Sequence, residues 1–319
     1  MAMYQQQRAG INAASRLSYA AVLKKDFRKN KFIYLMGLAG IAYYVIFKYV
    51  PMYGALIAFK NYIPTKGIMG SPWVGFKHFI DFFNSYYFIR VLRNTLLINL
   101  YELLFAFPAP IILALLLNEI RLTFFKRLVQ TVTYLPHFVS MVVICGMIVD
   151  FSQKAGLLNT IIAWFGGEKE NLLLNPDLFR PIFIGSGIWQ GVGWGSIIYL
   201  AALSSIDPQL YDAATVDGAN RWQQMRHVTI PGMMPTIVIL LILQIGGMMN
   251  VGFEKIILLY NPQTYETADV ISSFVYRRGI LEANYSFSTA VGLFNSAVNF
   301  MLLIVANRLS RKINETSLW

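Results

Sequence analysis

Long apolar stretches alternate with polar segments along this chain, and the apolar stretches approach the length of a bilayer crossing. A membrane-spanning helix needs about 20 mainly apolar residues. Six stretches qualify, at 32–59, 94–118, 128–149, 181–206, about 228–253 and about 283–307. The pattern therefore predicts an all-α integral membrane protein with six transmembrane helices.

The charges at the ends of the stretches predict how the chain is oriented. Before the first span, residues 1–31 contain many Lys and Arg but a single acid, Asp26, and such clusters stay in the cytoplasm. An even number of spans then returns the C-terminus to the same side. We expect a cytoplasmic segment at 1–31 with a surface helix at 13–27, a membrane domain at 32–306 and a cytoplasmic tail at 307–319.

Three segments are predicted to lie outside, at about 60–90, 150–180 and 254–282. The first is rich in aromatic residues around Phe76 to Phe83, which favours a short helix at the membrane interface. In the second, Trp164 is followed by Phe165-Gly166-Gly167, which predicts a helix and then a turn.

Composition narrows the class of protein. Of the 319 residues, 56% are hydrophobic and 13% are charged, whereas soluble domains carry about 25% charged residues. The net charge is +11, but the basic residues gather at span ends, so no nucleic-acid partner is expected. A single cysteine, Cys145, rules out a disulfide within the chain. No cleavable signal peptide is expected either.

One polar stretch, 207–235, separates the fourth and fifth apolar spans. Asp207-Pro208 combines an N-cap residue with proline at the first helical position, which starts a helix. Gly218 offers the left-handed residue that ends it, and Asn220 with Gln223 matches a capping box for a second helix. The stretch thus predicts two short helices at an angle, at the cytoplasmic membrane face.

This stretch closely resembles the EAA loop of ABC importer permeases. Asp212-Ala213-Ala214, Gly218 and Val228-Thr229-Ile230-Pro231 keep the family spacing, with Asp for Glu, Val for Ile and Ile for Leu. The resemblance implies a type I ABC importer permease fold and a coupling helix that fits into a separate ATPase subunit. An ordinary cytoplasmic helix-turn-helix is the alternative interpretation. The implied ATPase-coupling residues are Tyr211, Asp212, Ala213, Ala214, Asp217, Gly218, Ala219, Arg221, Trp222 and Pro231.

Catalytic and metal-binding patterns are missing from the sequence. The dipeptide Gly-Lys of a Walker A loop does not occur, and no His or Cys pair has metal-ligand spacing. We therefore expect no catalytic residue, metal or cofactor on this chain, with ATP and Mg bound by a partner ATPase. His137, near the start of the third span, is interpreted as a helix-end residue.

The fourth span interleaves glycines with Trp189, Gln190 and Trp194. Glycines permit close packing or leave space along a pathway, and tryptophan presents a flat apolar face on which a sugar can stack. In the fifth span, Gln244, Met248 and Val251 have helical spacing, with Asn250 adjacent. Polar residues in a span signify packing as often as binding.

The chain as a whole resembles permeases of the maltose-uptake kind. The resemblance implies that a sugar contacts Ile188, Gly191 and Trp194 before the coupling loop, and Gln244, Met248 and Val251 after it. Several polar contact positions of that family are apolar here, so maltose itself is not expected. The segment 189–194 and the aromatic outer segment resemble permeases for larger oligosaccharides, including plant-wall and uronic-acid ones. The predicted pathway residues are Ile188, Trp189, Gln190, Gly191, Trp194, Gln244, Met248, Asn250 and Val251.

Two charges, Lys48 and Glu102, fall within predicted spans and would be costly in lipid. We expect them to form a structural ion pair. Alternatively, Lys48 extends toward the interface, or the two serve a proton or ion relay.

The sequence thus predicts a permease subunit of a binding-protein-dependent ABC importer in a bacterial cytoplasmic membrane. Its expected partners are a second, different permease, two ATPase copies, an extracytoplasmic sugar-binding protein and the lipid membrane. A secondary transporter is the alternative; it would require several buried ionisable residues and repeat symmetry. A membrane enzyme would require clustered His, Asp or Cys at a membrane face.

Overall fold

The computed structural model describes residues 26–314. It divides into two compact units, residues up to Leu56 and residues from Ile57 onward, which we treat separately. The surface helix predicted at 13–27 lies almost wholly outside the described residues.

Helices make up nearly all of the described chain, and the β-structure in that part is an isolated antiparallel bridge between Lys60 and Trp73. The α-helices are α1 Lys31–Tyr44, α2 Val50–Met52, α3 Gly67–Gly70, α4 Lys77–Phe83, α5 Tyr87–Tyr101, α6 Pro108–Glu119, α7 Thr123–Tyr134, α8 Met141–Ser152, α9 Leu157–Trp164, α10 Pro176–Ser204, α11 Pro208–Val216, α12 Arg221–Gln224, α13 Ile230–Gly246, α14 Phe253–Leu259, α15 Tyr265–Ala268, α16 Ile271–Tyr276 and α17 Tyr285–Asn314. Short 3₁₀ turns occur at Tyr53–Phe59, Pro64–Lys66, Leu135–Phe138 and Leu172–Leu174.

The first unit consists of α1 and the turns that extend it toward Met52. Its apolar side chains, such as Phe32 and Ile41, are exposed along its whole length. Lys48 lies within this unit on a wide π turn, Val45–Tyr49, and its side chain is exposed. The predicted pairing of Lys48 with Glu102 stays a prediction.

Five helical stretches of the described chain are long and apolar enough to cross a membrane. They are Lys31–Phe59, Tyr87–Glu119, Met141–Trp164, Arg221–Gly246 and Tyr285–Lys312. The fourth predicted span corresponds to α10, whose 29 residues are also long enough. Its glycines and its polar Gln190 and Ser196 lower its mean hydropathy below that of the other spans.

Two predicted spans have the wrong boundaries. The third, predicted as one helix over 128–149, is interrupted: α7 ends at Tyr134, a 3₁₀ turn follows, and Val139 and Ser140 are extended. Pro136 lacks the N–H that would continue the α-helix, and Ser140 caps α8 by accepting a hydrogen bond from Val143 N at 3.4 Å. The fifth ends at Gly246 rather than near Phe253, because its last turn is followed by the tight turn of 247–250.

Helix α10 is central to the second unit and packs against α6, α7 and α13, and α13 in turn packs against α17. Glycine makes the closest of these contacts possible. A Cβ at Gly193 would lie 2.2 Å from the carbonyl oxygen of Thr133, and one at Gly195 would lie 3.0 Å from the Pro110 ring. Part of the glycine pattern of the fourth span therefore serves helix packing.

Three of the wide π turns are each followed by a proline. Each turn ends two residues before it: Val45–Tyr49 before Pro51, Glu102–Ala106 before Pro108 and Met225–Thr229 before Pro231. A proline ring clashes with the carbonyl four residues earlier in an α-helix, and a widened turn relieves that clash without breaking the helix. The spans containing these prolines therefore stay continuous.

Candidate functional site: the coupling loop and the α10 cavities

The polar stretch between α10 and α13 folds as the sequence predicts. The Asp207 side chain caps α11 by accepting a hydrogen bond from Gln209 N at 2.9 Å. The capping box of α12 is complete: Asn220 Oδ1 accepts from Gln223 N at 2.9 Å, and Gln223 Oε1 accepts from Asn220 N at 2.7 Å. Gly218 has φ +79°, so the left-handed turn between the two helices is confirmed.

This two-helix element presents one side to solvent. Asp212, Ala213, Asp217 and Gly218 are exposed, and Trp222 is 68% exposed. Exposed aromatic residues such as tryptophan are enriched on surfaces that another protein covers. The predicted coupling residues thus lie together on one accessible face, apart from those that fasten the element to the membrane helices.

The fastening contacts lie on the opposite side of the element. Tyr211 hydroxyl and Thr229 hydroxyl are 3.0 Å apart, and Ala214 and Ala219 are half-buried. Arg221 donates to the Glu119 carboxylate at 3.0 Å, which connects α12 to the end of α6. Pro231 follows the π turn that joins α12 to α13. The coupling element is therefore fixed to the second and fifth spans at the same time.

Two cavities lie along one face of α10. The first encloses about 490 Å³ and brings α10 together with the second span and α13; it is lined by Glu102, Ala106, Phe107, Pro110, Ile184, Gly187, Gly195, Ile198, Tyr199, Leu240, Leu243 and Gln244. The second encloses about 460 Å³ and is lined by Tyr101, Phe105, Asp177, Arg180, Pro181, Ile184, Gly185 and Ile188. Both are mainly apolar with a few polar groups, as solute sites usually are.

Of the predicted pathway residues, Ile188 and Gln244 line these cavities. Gly191 lies on the same face of α10, and no atom would meet a Cβ added there within 4 Å. Gln190 is half-buried. For these residues the structure is compatible with a pathway role, which stays a prediction.

The two tryptophans of α10 lie elsewhere. Trp189 lines a separate apolar groove formed with α8 and α9, which shares Pro181 and Gly185 with the second cavity. Trp194 stacks on His137, with 4.5 Å between ring centroids and 3° between planes, and Phe138 packs against its edge. Trp194 is still 45% exposed, so one part of its surface packs on the break before α8 while another stays open.

The predicted pathway residues after Gln244 do not lie on a helix. Because α13 ends at Gly246, the helical spacing expected for Met248 and Val251 is wrong. Val251 is 1% exposed and belongs to the apolar core, and Met248 is half-buried. Asn250 accepts a hydrogen bond from Asn295 at 3.1 Å, so it joins the turn after α13 to α17.

A buried polar network connects the outer segment 254–282 to α5, and no pattern in the sequence indicates it. Asp269, which is fully buried, pairs with Arg277 at 2.6 Å and with Arg90 at 3.4 Å. Burial alone would lower the pKa of Arg277, but the hydrogen bonds and charge of Asp269 outweigh it and raise that pKa above its ordinary value. Asn94 of α5 donates to the carbonyl of Asp269 at 3.0 Å.

Three charged residues at the cavities were absent from the predicted pathway. Glu102 lines the first cavity, and Asp177 and Arg180 line the second. For Glu102, the sequence signal of a functional role was its charge within an apolar stretch. Arg180 directly precedes the predicted fourth span, so from the sequence it is interpreted as an ordinary charged residue at the end of a span.

The comparisons with known proteins agree with this architecture. Residues 106–315 match the family described as binding-protein-dependent transport system inner membrane component. The polygalacturonan/rhamnogalacturonan transport system permease protein YteP of Bacillus subtilis (strain 168) is 47% identical over 309 residues, covering 94% of this chain and 96% of YteP. Protein LplB of the same organism is 45% identical over 310 residues, covering 97% of this chain and 96% of LplB.

A solved structure, described as a bacterial ABC transporter involved in the import of the acidic polysaccharide alginate, contains a similar chain. The TM-score is 0.86 at 45% identity, covering 92% of this chain and 99% of that one. The predicted fold class, an all-α type I permease, is thereby confirmed. Given the family match over residues 106–315, about two-thirds of its length, this chain belongs to the binding-protein-dependent inner membrane components, the permease subunits of ABC importers.

Proposed function

We propose that this chain translocates an oligosaccharide across the cytoplasmic membrane as one of two permease subunits of an importer. The observation that carries the proposal is the α10 face: its two cavities run along the helix that enters the coupling loop. Relatives named for polygalacturonan and rhamnogalacturonan transport support a sugar as the solute. Gln244 can exchange hydrogen bonds with sugar hydroxyls as water is displaced.

The proposed assembly contains a second, different permease, two copies of an ATPase and an extracytoplasmic sugar-binding protein. ATP and Mg are bound by the ATPase, and both termini of this chain lie in the cytoplasm. A solved relative is described as an ABC transporter in complex with a pentasaccharide-bound periplasmic protein, which supports a binding-protein partner. The accessible face around Asp212 and Trp222 is the surface proposed to contact the ATPase.

In mechanism, the coupling element transmits the ATPase movement to the cavity walls. Closure of the ATPase pair displaces α11 and α12. Through the Arg221–Glu119 contact and the π turn before Pro231, the displacement reaches α6 and α13. Both helices line the first cavity, so its two walls move together and the cavity opens to one side at a time.

Reconstitution in proteoliposomes tests the proposal. The complete complex, with the binding protein outside and ATP inside, should take up labelled oligogalacturonate or oligogalactose and hydrolyse ATP; the purified chain alone should hydrolyse none. Uptake driven by an ion gradient without ATP would favour a secondary transporter instead. Turnover of ATP by a preparation free of other subunits would overturn the proposal.

A further inference from the structure

The cations around α5, α10 and the outer segment fall into two groups. Most are neutralised by a carboxylate: Arg90 and Arg277 by Asp269, Arg93 by Glu266, and Arg278 by Glu282. Arg180 and Lys255 differ, because no ion pair to either occurs within the part of the chain that the structure describes. Neither positive charge is therefore neutralised by a carboxylate in direct contact.

Arg180 is held in place by neutral oxygens. Its Nε donates to the Thr267 carbonyl at 3.2 Å, and one terminal nitrogen donates to Asn94 Oδ1 at 2.8 Å. These two bonds use part of the five-donor guanidinium and fix its plane. The group lines the second cavity beside Ile184 and Ile188, so an oriented cation faces the space proposed for the sugar.

Lys255 belongs to α14, and its side chain extends to α10. The residue is 5% exposed; its ammonium donates to the Phe183 carbonyl at 2.7 Å and lies 4.7 Å from the Phe183 ring centre. A Cβ at Gly187 would lie 3.3 Å from Nζ, and Gly187 lines the first cavity. Lys255 itself lines neither of the two cavities, and Gly187 is the cavity residue next to its ammonium.

Acidic groups are also present near both cations. Asp177 lines the second cavity with Arg180. Glu102 lines the first and interacts electrostatically with Lys255, but neither carboxylate forms an ion pair in the described chain. A charge left unpaired at membrane depth is costly and marks a solute pathway more often than a packing position. Planar guanidinium groups suit carboxylates, which they bind through two parallel hydrogen bonds.

We infer that Arg180 and Lys255 are successive recognition points for the carboxylates of an acidic, uronate-bearing oligosaccharide. The inference rests on the proposed import of oligosaccharides and specifies their class. Arg180 meets a carboxylate near the outer end of α10, and Lys255 attracts it into the first cavity past Gly187. Glu102 and Gln244 then accept or donate hydrogen bonds to the neighbouring hydroxyls.

The test uses the purified complex without its binding protein and two matched probes. These are tetragalacturonate and its carboxyl-reduced counterpart, which has the same length and linkages but no charge. Binding of both probes is measured on this complex, and uptake is measured in proteoliposomes with the binding protein outside and ATP inside, for the wild type, Arg180→Gln and Lys255→Gln. Arg93→Gln, which removes a carboxylate-paired and exposed arginine of α5, is the control.

We expect the wild type to prefer the charged probe. Arg180→Gln should weaken binding of tetragalacturonate by about tenfold or more, the usual scale for a lost charged hydrogen bond. Lys255→Gln should weaken it by a smaller factor, because Lys255 acts on the cavity only across Gly187. Binding of the reduced probe should stay unchanged in both, and Arg93→Gln should behave like the wild type.

Other outcomes overturn the inference. Equal weakening of both probes would show that the two cations only support the structure. A wild type that binds or imports both probes equally would refute recognition of carboxylates while leaving oligosaccharide import intact, and transport of neither probe would refute both proposals. If Arg180→Gln fails to assemble, Arg180→Met decides, because it removes the charge but keeps an unbranched side chain: an unchanged preference for the charged probe overturns the role of Arg180.

Discussion

Replacing Gly218 by valine tests the coupling loop directly. The residue has φ +79°, and no atom lies within 4 Å of an added Cβ, so the substitution creates no steric clash with neighbours. Its cost is the left-handed backbone alone, about 1–2 kcal/mol for an L-residue and at the upper end for a β-branched one. That cost corresponds to a roughly 5- to 30-fold smaller population of the native turn.

The expected result is an assembled complex with impaired coupling. The change is local and exposed, so the amount of complex in the membrane should be nearly normal. Uptake should fall several-fold, because α11 and α12 no longer keep the angle at which the ATPase contacts them. Uptake, ATPase rate and complex yield are measured on the same preparation.

Two control variants separate this explanation from general damage. Gly218→Asn should retain most uptake, because Asn tolerates the left-handed region. Gly166→Val introduces the same strain at φ +82°, also in open space, but in the loop after α9. Normal uptake by Gly218→Val, or an equal loss in Gly166→Val, would refute the reasoning.

Three further substitutions probe packing, the buried network and the pathway. Gly193→Ala should greatly reduce complex yield, since its Cβ would lie 2.2 Å from a backbone oxygen of α7, whereas Gly191→Ala in open space should assemble normally; membrane immunoblots compare them. Asp269→Asn should destabilise the complex by roughly 3–5 kcal/mol, as expected for breaking a buried ion pair, while Glu266→Gln in an exposed pair should cost under about 1 kcal/mol; thermal unfolding distinguishes the two. Trp194→Ala should lower labelled-sugar uptake while complex yield and ATPase rate stay near normal, because about half of the ring is open; loss of all three together would indicate packing alone.

Features set by neighbouring residues could be predicted from the sequence. The N-cap at Asp207, the capping box of Asn220 and Gln223, and the left-handed Gly218 each depend on a few adjacent positions, and all three are present. The same holds for the turn at Gly166 after α9. Short-range rules were therefore enough for the coupling loop.

Features set by distant contacts could not be predicted. The break before α8 is stabilised partly by the stacking of His137 on Trp194 of α10, residues that lie far apart in the sequence. The end of α13 at Gly246 depends on the turn that Asn250 and α17 hold together. Apolar composition continues through both places, so hydropathy alone extends the helices too far.

The cavity residues show the same limit. Arg180 becomes part of a cavity only because Asn94 and Thr267, which lie far from it in the sequence, fix its side chain. Of the positions that counting along a family pattern assigned to the pathway, Ile188 and Gln244 line the α10 cavities. Beyond Gly246 the same counting placed Met248 and Val251 on a helix that has already ended.

The π turn before Pro231 gives the coupling loop a property that a flexible linker would lack. Arg221–Gly246 is one unbroken helical stretch, so no flexible segment separates the two-helix element from the wall of the cavity. From Met225 to Gln244 the stretch measures about 28 Å at 1.5 Å per residue. Pivoted at the end next to α11 and α12, a rod of that length moves its far end by about 5 Å for a tilt of about 10°. Small rotations of the two-helix element would thus become displacements as wide as a sugar ring.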